Sequence, residues 1–120
     1  MKKVNYIYKA KVISVYDGDT LRVNVDLGFG IENKGNTGKG MTLRLFGINA
    51  PEMRGKEKEQ GKISRDWLRK KILGEEIIIE TIKDKTGKYG RYLANIYLKN
   101  SDIKINDLMV KEGLAVYKEY

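Results

Sequence analysis

The chain has 120 residues, with 24 Lys and Arg against 16 Asp and Glu, giving a formal net charge of +8 and a sequence pI near 9.6. It contains no cysteine and no histidine, which excludes disulfides, thiolate metal sites, cysteine catalysis and imidazole bases; catalysis would have to use carboxylates, Lys, Tyr or Arg, and a metal would have to be held by oxygen. The length is that of one domain, residues 1–120, and the positive surplus favours an anionic partner, nucleic acid before membrane.

The start, MKKVNYIYKAKVISV, has a basic tip with no unbroken apolar stretch behind it, unlike a signal peptide. No later run nears the ~20 apolar residues of a membrane span. The expectation is a cytoplasmic chain as it stands, a monomer with no membrane association; export of a processed form stays open.

Residues 6–16 are rich in aromatic and β-branched types without Gly or Pro, predicting a first strand. Asp17-Gly18-Asp19 follows as a hairpin turn in which Gly18 is expected to supply a positive φ. Leu21, Val23, Val25 and Leu27 alternate with Arg22, Asn24 and Asp26, the pattern of a half-buried second strand. The stretch 28–40 holds five of the thirteen glycines and reads as a long hairpin connection. Residues 42–47 form a third strand, with Leu43 and Leu45 toward the core and Arg44 on the other face. Pro51, the only proline, ends that segment at or before Ala50 and fixes a turn that aims Glu52.

Residues 53–61 read as a surface loop. A helix is predicted over 62–73, with Ile63, Trp67, Leu68 and Ile72 on its inner stripe and Gly74 as its stop. Trp67 reads as core. Three consecutive isoleucines within 75–82 argue for a buried fourth strand, followed by a basic turn over 83–91 and a fifth strand over 92–98. Asn106 is expected to N-cap a short helix, with Ile105, Leu108 and Met109 inside and Gly113 beyond its end. Tyr6, Tyr8, Tyr16, Tyr92 and Tyr97 sit in strand patterns, where packing is the default expectation. The order βββ-α-ββ-α predicts an α+β, mainly β chain: a five-stranded oligonucleotide-binding (OB) barrel with a short C-terminal helix.

Three sequence-distant places could carry chemistry. Asp17-Gly18-Asp19-Thr20 offers two carboxylates on a tight turn, oxygens of the kind hard cations take. Arg44 and Glu52 bracket a rigid turn. Lys88-Tyr89-Gly90-Arg91 is a basic, aromatic turn suited to phosphate and base contacts. Each alone is more often a solvated turn than a site.

The ordered combination of DGDT at 17–20, RLFGINAPE at 44–52 and KYGRYLA at 88–94 resembles the staphylococcal nuclease (thermonuclease) family, over about residues 9–117 with the LMVKEGLA segment included. The resemblance implies an OB-fold and calcium-dependent hydrolysis of DNA and RNA phosphodiesters, with single strands preferred. Carried over by position, Asp19 would be a direct calcium ligand, Asn49 would occupy the place of a second ligand aspartate, and Ala50 would offer its backbone carbonyl. Glu52 would be the base that activates water. Arg44 and Arg91 would hold the phosphate, and Lys88, Tyr89 and Tyr117 would contact the nucleotide.

The chain departs from the family pattern in three ways. Asn49 removes one formal charge from the ligand set, so weaker calcium binding or use of another divalent ion is expected. The 28–40 loop is longer than in the family pattern. The chain ends at Tyr120 without the family's final helix, so a smaller core and lower stability are expected. The alternatives to a nuclease are a non-catalytic nucleic-acid-binding OB module and a basic structural protein of ribosomal type. Glu52 discriminates against both, because a carboxylate in a phosphate cleft repels a ligand that is merely bound.

Overall fold

The computed structural model describes residues 6–86 and 92–118. In chain order its elements are β1 (Tyr6–Asp17), β2 (Thr20–Asp26), β3 (Glu32–Asn33), β4 (Met41–Leu45), β5 (Ile48–Asn49), a 3-10 turn (Gly55–Glu57), α1 (Lys58–Ile72), β6 (Glu76–Thr86), β7 (Tyr92–Leu98), α2 (Ile105–Lys111) and β8 (Val116–Tyr117). β1 pairs with both β2 and β6, β6 with β7, β7 with β4 and β4 with β2. These five strands therefore close a barrel, which is the predicted OB-like α+β architecture. All the pairings are antiparallel except β4 with β7.

The barrel interior follows from strand alternation. Leu21, Val23 and Val25 of β2, Leu43 and Leu45 of β4, Ile77 and Ile79 of β6 and Ala94 and Ile96 of β7 are all buried in one cluster. Burying each large aliphatic side chain is worth about 1.5–3 kcal/mol. In β1 the buried positions step from Ala10 and Val12 to Val15, an odd interval. Register shifts between Val12 and Ser14 and between Val15 and Asp17 account for it, since each extra residue reverses the inward parity. Leu27 lies beyond β2 and is exposed. Tyr8 packs on the core, whereas Tyr6, Tyr16 and Tyr92 face solvent.

Several sequence expectations are corrected. Gly18 is not among the positive-φ glycines. It is required by close approach, because a Cβ there would lie 2.7 Å from Ala50 Cβ and 2.9 Å from Ser64 Cβ. The 28–40 connection contains the short strand β3, paired to Val25 and Asp26. α1 begins at Lys58, before the expected residue 62, and runs through Gly61. Its buried stripe is Gly61, Ser64, Leu68 and Ile72, with Ile63 exposed. Trp67 is half-buried against the core, with Lys71 Nζ 5.5 Å from its ring centroid.

Asn106 does not cap α2. That helix starts from Lys104 without a side-chain cap, and Asn106 is buried inside it. Its Oδ1 accepts from Ile96 N–H at 3.0 Å, and its Nδ2 donates to Phe46 O at 2.9 Å and Ala94 O at 3.1 Å. The side chain thus ties α2 to β7 and to the end of β4. β6 extends to Thr86, past the expected end at 82. The tail forms β8, which pairs with β5 through Ile48–Tyr117 and Asn49–Val116, a two-residue ladder too short to leave a periodic signal.

Candidate active site

Thr20 and Arg44 are partners across β2 and β4. This pairing places the DGDT turn against the start of the RLFGINAPE segment. After β4 the chain turns at Gly47 (φ 78) and comes back as β5. The return covers Arg44, which is why the residue is buried although it faces away from the barrel interior.

The guanidinium is surrounded by protein oxygens. Nη1 donates to Leu45 O at 3.2 Å and Ile48 O at 3.0 Å. Nη2 donates to Asp19 Oδ2 at 3.3 Å and Asn49 Oδ1 at 2.8 Å. The Ala50 N–H also donates to Asp19 Oδ2, at 2.8 Å, and the Thr20 hydroxyl donates to Asp19 Oδ1 at 3.1 Å. Asp19 is therefore buried with charge-assisted partners on both oxygens. Three of the sequence-predicted site residues, Asp19, Arg44 and Asn49, meet directly, and Ala50 joins them through its backbone.

Asp17 completes the turn by accepting the Asp19 N–H on Oδ1 at 3.0 Å. Its pKa is pushed up to about 6, first by burial and then by the neighbouring negative charge of Asp19. The sequence offers Asp17 as one of the two carboxylates of the turn; its repulsion by Asp19 follows from the tightness of that turn.

Glu52 lies just past Pro51 and is exposed; its backbone N–H donates to Glu57 Oε1 at 3.3 Å. Gly61 fixes where this segment runs, because the Glu52 carbonyl lies where a Gly61 Cβ would be. The Glu52 carboxylate makes no hydrogen bond or ion pair with Asp19, Arg44 or Asn49. A cavity of about 170 Å³ opens beside Asn49, Ala50 and Pro51, walled on its far side by Gly113 to Val116. Tyr117 reaches this neighbourhood through its pairing with Ile48, and its exposed hydroxyl donates to Asp107 Oδ1 at 3.2 Å. Lys88, Tyr89 and Arg91 lie outside the described residues.

The donor set near Asp19 is all oxygen, as a hard cation requires. It is sparse in charge, since no group of three or more acidic, His or Cys residues gathers among the described residues. The oxygens that could be offered to such an ion are those of the Asp19 carboxylate, the Asn49 amide and the Ala50 carbonyl, and Asp19 Oδ2 and Asn49 Oδ1 already accept from Arg44 Nη2. Among the described residues no helix is long and apolar enough to cross a membrane.

The chain is 32% identical over 113 residues to a thermonuclease of Staphylococcus hyicus, covering 92% of this chain and 59% of that protein. It is 29% identical over 131 residues to an uncharacterized protein of Methanocaldococcus jannaschii, covering 90% of this chain and 58% of the other. Over 86 residues it is 40% identical to a probable endonuclease of Candida glabrata, covering 66% of this chain and 32% of that protein. The chain thus spans three-fifths or less of the length of these relatives. The profile of staphylococcal nuclease homologues matches residues 42–120, from β4 onward. That match covers more than half of the chain and includes the Arg44-to-Glu52 segment, so the chain belongs to the staphylococcal nuclease homologue family.

Proposed function

We propose that the protein is a calcium-dependent endonuclease that hydrolyses phosphodiester bonds of DNA and RNA. The observation that carries this reading is the buried Arg44–Asp19 pair, joined to Asn49 and Ala50 on the segment that delivers Glu52 to the surface. As a stabilising device such a pair is poor, because an apolar pair of similar volume is often neutral or better. Its presence beside an exposed carboxylate is explained by chemistry on an anion.

In this reading Glu52 takes the proton from the attacking water, a contribution of about 10²–10⁴-fold for a positioned general base. Arg44 supplies fixed positive charge where negative charge builds on the phosphate, and its hydrogen bonds to backbone carbonyls keep that charge from moving. Arg91, Lys88 and Tyr89 are proposed to complete the phosphate and nucleotide contacts, with Tyr117 at the other edge. Asp19, Asn49 and the Ala50 carbonyl would hold the calcium ion, which when bound polarises the phosphate as a Lewis acid. Breakdown of single-stranded DNA and RNA in calcium and its loss in EDTA are the expected results. Binding without cleavage in calcium, manganese and magnesium would instead identify a non-catalytic nucleic-acid-binding module, a reading that the neutral Asn49 favours.

A further inference from the structure

Outside the cluster around Arg44, a groove of about 580 Å³ opens on the outer face of the barrel. Its walls come from the bulged end of β1, from β2 and β4, and from α1. Three arginines, Arg22 from a strand and Arg65 and Arg69 from a helix, are among the residues that line it. Arg22 is exposed and has no carboxylate partner among the described residues. Arg69 donates through Nε and Nη2 to Val15 O, at 3.1 and 3.0 Å, which fixes the side chain while leaving its charge unneutralised by any carboxylate among the described residues. Arg65 pairs with Asp66 at 3.0 Å, the one acidic group engaged with the three.

The groove adjoins residues of the candidate active site. Thr20 and Thr42 line it, and they are the cross-strand partners of Arg44 and Arg22 respectively. Met53, the residue after Glu52, forms part of the same wall. Tyr16 is thrown outward by the bulge and is 71% exposed at the rim, where a ring can stack on a base. Three arginines, threonine hydroxyls and one open aromatic suit a single-stranded sugar–phosphate backbone.

We propose that this groove is a second phosphate-binding track, which carries a single-stranded nucleic acid on one flank of the catalytic cluster. Arg22 and Arg65 contact successive phosphates, and Arg69 both contacts the strand and locks the bulge that forms the wall. The proposal rests on the nuclease reading only for the identity of the strand's destination; binding along the groove can be measured without cleavage.

The test is fluorescence anisotropy with a labelled oligothymidylate of about twelve nucleotides, titrated in EDTA between about 50 and 200 mM salt. The variants are Arg22→Ala with Arg65→Ala, the same pair changed to Lys, and Lys111→Ala on α2 as a charge control away from the groove, each checked for folding by circular dichroism. The double alanine variant is expected to bind roughly tenfold more weakly, with its salt slope reduced by about 1.4, or ~0.7 for each single-strand phosphate that is no longer neutralised. The lysine pair is expected to keep the slope, and Lys111→Ala the affinity. A folded double alanine variant that binds like Lys111→Ala overturns the proposal, as does a wild type that does not bind at low salt. If the wild type cleaves in calcium but the groove variants bind normally, the nuclease reading stands and the groove fails. If the groove variants lose binding but the wild type never cleaves, the reverse holds.

Discussion

Arg44 of β4 and Asp19 of the turn between β1 and β2 meet 3.3 Å apart, with both side chains about nine-tenths buried. Removing one partner strands the other charge away from water, at a cost of about 3–5 kcal/mol. Asp19→Ala and Arg44→Met should therefore each lower the urea midpoint by that equivalent. Because the two residues share one network, the double variant should cost less than the summed singles by about 1–3 kcal/mol. Simple additivity in the denaturation cycle would show that the pair is not coupled in solution.

Gly61 gives a prediction whose sign is diagnostic. In an ordinary helix interior, Gly→Ala stabilises by about 0.8–1.0 kcal/mol. Here the added methyl would meet the Glu52 carbonyl, so Gly61→Ala should destabilise the protein and displace the segment carrying Glu52. A raised melting temperature with activity unchanged would contradict the observed crossing.

Asp17 imposes a pH dependence. Its pKa is raised from 3.8 to about 6, so between these values the folded state binds more protons than the unfolded state. Its contribution to stability is fully present below the lower value and is lost as pH rises through about 6. Asp17→Asn keeps the oxygen that accepts the Asp19 N–H and removes the repulsion. Measured in EDTA, the variant should exceed wild type by about 1–2 kcal/mol near neutral pH, after discounting for partial exposure. The advantage should shrink toward pH 4. An advantage that is constant with pH would assign the effect to packing.

Asn49 should set the affinity for the metal. Asn49→Asp restores a formal charge to the ligand set while leaving an oxygen for Arg44 Nη2, so calorimetry should show tighter calcium binding. Unchanged or weaker binding would mean that residue 49 is not a ligand.

The barrel was legible in the sequence because β2, β4 and the isoleucine run leave strong alternation or continuous burial. The features that shape the site were less visible, and each has a physical reason. Gly18 and Gly61 read as turn or loop glycines, yet they serve close approaches to Ala50, Ser64 and the Glu52 backbone from distant parts of the chain. Asn106 carried a cap signature, but its amide is spent on Ile96, Phe46 and Ala94, a choice that only tertiary packing can dictate. Arg44 was placed on the correct face, although its burial depends on β5 folding back over it. Arg65 and Arg69 fall off the predicted inner stripe of the helix, and nothing in the helix itself shows that β1 and β2 lie beside them.

The most direct test of the central claim is single-turnover cleavage of single-stranded DNA in calcium by wild type and Glu52→Gln, with binding measured in parallel. The expected result is calcium-dependent cleavage by the wild type, a rate lower by about 10²–10⁴-fold in the variant, and DNA affinity retained. A variant that cleaves within a few-fold of wild type would remove Glu52 as the base. A wild type that binds and never cleaves would contradict the nuclease assignment itself.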